Sequence, residues 1–168
     1  AEDGIRDIHS WLEFRRVLFR SFPIQVLEGQ MPDDVDYLFW VGCAGAYEER
    51  AKRTTKAVAE LLYMAQVRFA VLGARENCTG DPARRAGNEF VYQILSKENI
   101  ETFNQVYSTY RGKKRIVVTC PHCFTTIGRD YQQQGFEVEM VHQDRKSTRL
   151  NSSHEWISRM PSSAWKKK

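Results

Sequence analysis

Cysteine is the residue type in this chain with the most chemistry and the fewest copies. The four are Cys43, Cys78, Cys120 and Cys123. Each follows a short apolar run of strand character, in the stretches YLFWVGC, FAVLGARENC and RIVVTCPHC. Thiolate sulfur is the nucleophilic and metal-binding form of the side chain, and nearby helix N-termini favour it by stabilising negative charge. Four thiolates at one place suit a [4Fe-4S] cluster or a tetrahedral zinc ion. The Cys120/Cys123 pair alone is less specific, because redox dithiols and zinc sites share the CxxC spacing. A dithiol of that kind leaves Cys43 and Cys78 without a role. Cysteine also serves as an ordinary small buried residue, but four copies behind strands and none elsewhere point to ligation. No Ser-His-Asp arrangement, paired-carboxylate site or phosphate-cradling glycine loop is recognisable.

The elements that must position these sulfurs alternate. Apolar runs at Tyr37 to Val41, Arg68 to Leu72, Arg115 to Thr119 and Phe136 to Val141 predict four strands. Helical periodicity fills the gaps. A crossover helix runs from Tyr47 to Ala65 after a small-residue turn at Gly42, Cys43 and Gly45. A second helix begins at Pro82 with Asp81 as its cap and runs through Leu95. Asn99 interrupts it, and another helix carries Ile100, Phe103, Tyr107 and Tyr110 to a stop at Gly112. The last runs from His122 to Gln134, closed by Gly135. Phe22 to Asp36 reads as an irregular lead-in. This alternation predicts an α/β fold: an open, mostly parallel four-stranded sheet with helices on its faces. Every strand-to-helix loop then lies at the carboxyl edge, where open α/β sheets bind ligands, and a metal site is expected there.

Both termini resemble translated sequencing adapter. One adapter strand encodes AEDGIRDIHSWLEFRRVLFRS, residues 1–21, with TGA read as Trp11, and its complement encodes DRKSTRLNSSHEWISRMPSS, residues 144–163. Residues 1–21 and 144–168 are therefore set aside as artefact, leaving 22–143 as one cysteine-rich domain, a fragment of a longer protein. The excluded ends hold 11 of the 25 basic and 6 of the 21 acidic residues, so they carry a charge of +5 and residues 22–143 one of −1 within the net +4. What remains is near neutral, and nucleic acid is not an expected partner. No apolar run approaches the roughly 20 residues of a spanning helix. Metal-like cysteine spacing fits a reducing compartment better than a disulfide framework, so a cytoplasmic location is expected.

The succession WVGC, ENCTGDPARRAGNE and TCPHC resembles the cysteine-rich (CCG) domain found in heterodisulfide reductase and in the iron-sulfur subunits of glycolate and lactate oxidases. It is most similar to the C-terminal copy in iron-sulfur oxidoreductases that pass electrons between electron-transfer flavoprotein and quinone. The resemblance implies that Cys43, Cys78, Cys120 and Cys123 hold an iron-sulfur cluster that relays electrons. It also implies a parent oxidoreductase with a ferredoxin-like cluster domain and membrane helices, at the cytoplasmic face. The family motif has paired cysteines before glycine where this chain has Thr79. With four cysteines in place of five, an electron-relaying [4Fe-4S] cluster or a zinc site is expected, ahead of a noncubane cluster acting on a disulfide. His122 is a candidate hydrogen-bond donor to cluster sulfur. Thr79 and Gly80 are candidates for close backbone approach to the metal. Asp81, Arg84 and Arg85 are candidates for a docking or proton-handling group.

Overall fold

The computed structural model describes residues 23–143; Phe22 and the two segments read as adapter-derived, 1–21 and 144–168, lie outside the described residues. In chain order the elements are β1 (Gln25–Val26), β2 (Tyr37–Trp40), α1 (Gly42–Tyr47), α2 (Glu49–Met64), β3 (Phe69–Val71), α3 (Asp81–Arg85), α4 (Glu89–Val106), β4 (Arg115–Val118), α5 (Pro121–Thr125) and β5 (Glu139–His142). The strands form one parallel sheet in the order β1-β3-β2-β4-β5.

Side chains alternate across the pleat, so each strand feeds two cores. Leu38 and Trp40 of β2, Ala70 of β3, and Ile116 and Val118 of β4 pack with Phe103, Val106 and Tyr107 of α4 and with Ile127, Tyr131 and Phe136. Phe39, Val41, Phe69, Val71 and Val117 face the other way, onto Val58 and Ala59 of α2 and onto Ile24. The sheet is thus covered on both faces, as parallel sheets are. The chain leaves β2 for the α2 side and leaves both neighbours, β3 and β4, for the α4 side. Connections that diverge in this way open a crevice at the carboxyl ends of the strands.

Several expectations are corrected. The sheet has five strands, not four, because the lead-in contains β1, whose Gln25 and Val26 pair with Ala70 and Val71. Two residues between Pro23 and Gly29 are too few to show a period. The last strand begins at Glu139, later than Phe136, whose side chain is buried in the core. The glycine-rich stretch after β2 is the helix α1. Asn99 does not interrupt its helix: α4 runs through it, and the break falls earlier, at residues 86–88, where the Asn88 side chain caps α4 by accepting from Val91 N–H at 3.2 Å. Asn99 stays helical because its side chain finds tertiary partners. Asp81 is not a cap either; Gly80 occupies that position and Asp81 is the first residue of α3. The helix expected over residues 122–134 is three pieces: α5, a π-helical turn over Thr126–Asp130, and a 3-10 turn over Gln132–Gln134.

Among the described residues, no helix is long and apolar enough to cross a membrane.

Candidate metal centre

All four cysteines are unbridged thiols at the carboxyl edge of the sheet. Cys43 is the second residue of α1 and exposed, Cys78 lies in the loop before α3 and is half-buried, Cys120 caps α5 and is half-buried, and Cys123 lies within α5 and is buried. Only Cys123 therefore has the burial of an ordinary core cysteine. The sulfurs stand as two hydrogen-bonded pairs, Cys43 with Cys78 and Cys120 with Cys123. The pairs are within electrostatic reach of each other, Cys120 acting on Cys43 and on Cys78, and Cys43 on Cys123.

Within each pair the shared hydrogen bond lowers one thiol and raises the other. The hydrogen bond from Cys43 lowers the Cys78 thiol to about 6 against the opposing effect of burial, helped by the Gly80 N–H, which donates to Cys78 Sγ at 3.5 Å. The hydrogen bond from Cys123 lowers Cys120 to about 5, again against burial, helped by the main-chain N–H groups of Cys123 and His122. Cys43 and Cys123 are pushed up by the same hydrogen bonds and by burial. Two acidified thiols thus stand beside two raised ones, and a soft metal binding all four as thiolates would displace their protons. Among the described residues, no three His, Cys, Asp or Glu side chains already converge on the position of a single ion.

Two glycines shape the site. Gly80 has φ +84°, in the left-handed region, and an added Cβ would meet Tyr92 Cδ2 at 2.9 Å and Tyr92 backbone at 3.4 Å. Its conformation and its packing beneath α4 both require glycine. Gly80→Ala is expected to lower unfolding stability by about 2 kcal/mol, from left-handed strain plus the contact with Tyr92; urea denaturation that shows no loss would contradict this. Gly42 has φ +75°, and a Cβ there would sit 3.4 Å from Cys123 Sγ and 3.8 Å from Trp40 Nε1. Its missing side chain leaves an open cradle beside the sulfur.

Four residues that sequence reasoning missed support the sulfurs. Glu76 accepts the Val41 N–H at 3.2 Å and also the Gly42 N–H, which ties the start of α1 to the loop that carries Cys78. Burial pushes its carboxyl up to about 8, opposed by those two donors. Asn99 Nδ2 donates to the Cys78 carbonyl at 2.9 Å and to Tyr131 Oη at 3.1 Å, and Tyr131 in turn donates to the Thr79 carbonyl at 2.9 Å. Two consecutive carbonyls beside Cys78 are thereby clamped from below. Asn99→Ala is expected to cost about 1 kcal/mol or more, since it takes the donor from the part-buried Cys78 carbonyl and from the buried Tyr131 hydroxyl; a denaturation midpoint equal to wild type would exclude the clamp. The fourth is Trp40, 1 % exposed, whose Nε1–H has no hydrogen-bond partner among the described residues. Trp40 opens WVGC and Glu76 opens ENC, so both signals lie inside the cysteine motifs, where they pass for ordinary strand and loop residues.

The remaining candidates divide. Thr79 is buried and offers its carbonyl to Tyr131. His122 lies on the surface, where its Nδ1 meets Asp81 Oδ2 at 3.0 Å, and it reaches the sulfurs through its main-chain N–H on Cys120. Burial alone would raise the Asp81 carboxyl, but Arg85 at 2.8 Å and His122 together hold it below the usual range. Arg84 pairs with Asp130 at 2.6 Å and lies over the Tyr92 ring. Asp81, through His122 and Thr126, and Arg84, through Asp130, therefore brace α3 against α5 and the segment after it, while Arg85 pairs with Asp81 inside α3.

The residues present fit an iron-sulfur group. The donors are four cysteine sulfurs from three loops, the space at Gly42 is open next to Cys123, and the buried Trp40 N–H lacks an acceptor.

A parallel α/β sheet with cysteines gathered at its carboxyl edge is the class of domain that fold and site define. The family model described as the CCG cysteine-rich domain matches residues 37–128, and the chain belongs to this family. The chain is 42% identical over 115 residues to the EtfAB:quinone oxidoreductase of Syntrophomonas wolfei, covering 67% of this chain and 15% of that protein. It is 39% identical over 109 residues to the probable iron-sulfur-binding oxidoreductase FadF of Bacillus subtilis, covering 65% of this chain and 15% of FadF. One polypeptide of the dihydromethanophenazine:CoB--CoM heterodisulfide reductase of Methanosarcina barkeri is 26% identical over 119 residues, covering 67% of this chain and 27% of that polypeptide. The chain thus spans well under two thirds of the length of these relatives. No solved structure matches it significantly.

Proposed function

We propose that residues 22–143 are an iron-sulfur electron-transfer domain of a larger oxidoreductase, with Cys43, Cys78, Cys120 and Cys123 as the ligands of a [4Fe-4S] cluster. The observation that carries this reading is that four cysteines from three strand exits stand at one edge of the sheet as two hydrogen-bonded pairs within electrostatic reach of each other. A bound cluster would supply a one-electron couple, with its potential set by ligands, hydrogen bonds and burial. The chain's own part is to hold the sulfurs. Glu76 fixes the Cys43 helix to the Cys78 loop, Asn99 and Tyr131 fix the backbone of Cys78 and Thr79, and the main-chain N–H groups of Gly80, His122 and Cys123 neutralise thiolate charge. Thr79 at the position of the motif's second cysteine favours electron relay over direct disulfide chemistry.

The names of the relatives, an EtfAB:quinone oxidoreductase and an iron-sulfur-binding oxidoreductase, support a partnership with other domains of the parent protein. They support electron-transfer flavoprotein and quinone as the ends of the electron path, and a place at the cytoplasmic face of a membrane is part of the proposal. Segments 1–21 and 144–168 remain assigned to adapter and outside the domain.

Anaerobic reconstitution of the chain with iron and sulfide tests the reading. The expected result is a brown protein with a broad visible band and, on reduction, a paramagnetic resonance signal. Colourless protein that takes up one zinc per chain and no iron with sulfide would replace it with a zinc-stabilised docking module.

A further inference from the structure

Trp40 is the one described residue that combines near-complete burial, a donor without an acceptor, and a position beside the sulfurs. It ends β2, three positions before Cys43, and its ring packs on Phe103 with centroids 5.2 Å apart. The indole nitrogen can only donate, so its complement must be an acceptor. The bare face of Gly42 shows the side from which an acceptor can approach: a Cβ built there would lie 3.8 Å from Trp40 Nε1 and 3.4 Å from Cys123 Sγ, so the indole edge and the sulfur border the same side-chain-free spot. The neighbouring main-chain donors of Val41 and Gly42 are already taken by Glu76. A water there would need about two to four polar partners, and beyond residues 41–43 themselves the nearest atoms to that spot are the indole edge and the Cys123 sulfur.

Resting on the cluster reading above, we infer that Trp40 is a positioning residue whose indole N–H donates a hydrogen bond to a sulfur of the bound cluster, either a sulfide or the Cys123 thiolate. A donor aimed at sulfur stabilises negative charge, and reduction adds negative charge. The bond is therefore stronger in the reduced state, and removing it disfavours reduction.

The test is a redox titration of the loaded chain as wild type, Trp40→Phe and Phe103→Leu. Trp40→Phe keeps an aromatic ring and removes the N–H, whereas Phe103→Leu disturbs the same packing and keeps the N–H. At the wild-type midpoint, Trp40→Phe is expected to lower the ratio of reduced to oxidised cluster about fivefold or more, with Phe103→Leu within about twofold of wild type. An unchanged midpoint in Trp40→Phe, or an equal shift in both variants, overturns the inference. Should Trp40→Phe fail to fold or load, nitrogen-15 tryptophan labelling of a chain carrying Trp11→Phe, Trp156→Phe and Trp165→Phe decides. The Trp40 indole proton should then show a large paramagnetic shift on loading. An indole proton whose shift is the same in the loaded and metal-free chains overturns the inference. If the wild-type chain takes up no iron and sulfide, the cluster reading fails first and this inference falls with it, an outcome distinct from a loaded wild type with an unmoved Trp40→Phe midpoint.

Discussion

Replacing Cys123 with alanine is expected to weaken cluster incorporation about a hundredfold or more, beyond the roughly 10–100-fold that loss of a supporting outer partner costs a metal site. Cys123 is 5 % exposed and sits among the core residues Leu38, Ile127 and Phe136, where neither water nor an added thiol can reach the vacated position. Cys43 is exposed, so in Cys43→Ala an exogenous thiolate can complete the ligand set, and the loss should be nearer tenfold. The asymmetry follows from burial alone, since both residues offer the same sulfur. Iron and sulfide per chain after reconstitution are the measurement, with far-ultraviolet dichroism as a check on folding. Removing one buried sulfur should cost only about 1 kcal/mol of stability, so a folded Cys123→Ala protein with a full complement of iron and sulfide would rule out this residue as a ligand.

The largest effect on the metal-free protein is expected from Glu76→Ala, at about 2–4 kcal/mol. Its carboxylate is the acceptor for two main-chain N–H groups at the turn from β2 into α1, and stranding buried donors costs about 1–3 kcal/mol each. Glu76→Gln keeps an acceptor of the same shape without the charge that burial disfavours, so it should lose only about 1 kcal/mol. Urea denaturation of the reduced, metal-free chain at neutral pH reads both. Equal losses in the two variants would mean that the charge matters and the acceptor geometry does not. Where Glu76 is ionised, above about pH 8, its charge also raises the Cys123 thiol, an effect that both variants remove.

The sheet was legible because its strands are buried on both faces and so appear as unbroken apolar runs. Leu38 through Trp40 and Ile116 through Val118 serve two cores at once. The cysteine placement was legible for a related reason, as parallel strands with crossover helices leave all their exits at one edge. What escaped was whatever depends on a partner distant in sequence. β1 is two residues long and exists only because β3 offers it a parallel edge. Asn99 has poor helix propensity, but its amide reaches Cys78 and Tyr131, 21 and 32 positions away, and that outweighs propensity. Asp81 has the composition of a cap, yet Arg85 and His122 draw its carboxylate elsewhere. Glu76 looked like one more loop charge because nothing local reveals which main-chain donors it will meet. The family resemblance rested on the cysteine motifs, and the scaffold beneath them had to be seen in three dimensions.

The π-helical turn after α5 makes spacing, and not only residue identity, a constraint on the cysteine edge. Its wide ring is closed by the Tyr131 N–H on the Thr126 carbonyl at 3.0 Å, five positions back. That turn already holds one residue more than an α turn closing on the same carbonyl would, so one more inserted between Thr126 and Asp130 could no longer be absorbed and would swing the later side chains by about 100°. Tyr131 would then point away from Thr79, and the Cys78 loop would lose its support without any change in the amino acids that touch it. Chains that share this architecture can therefore be screened by counting: the interval from the second cysteine of CPHC to the tyrosine should tolerate substitution far better than insertion.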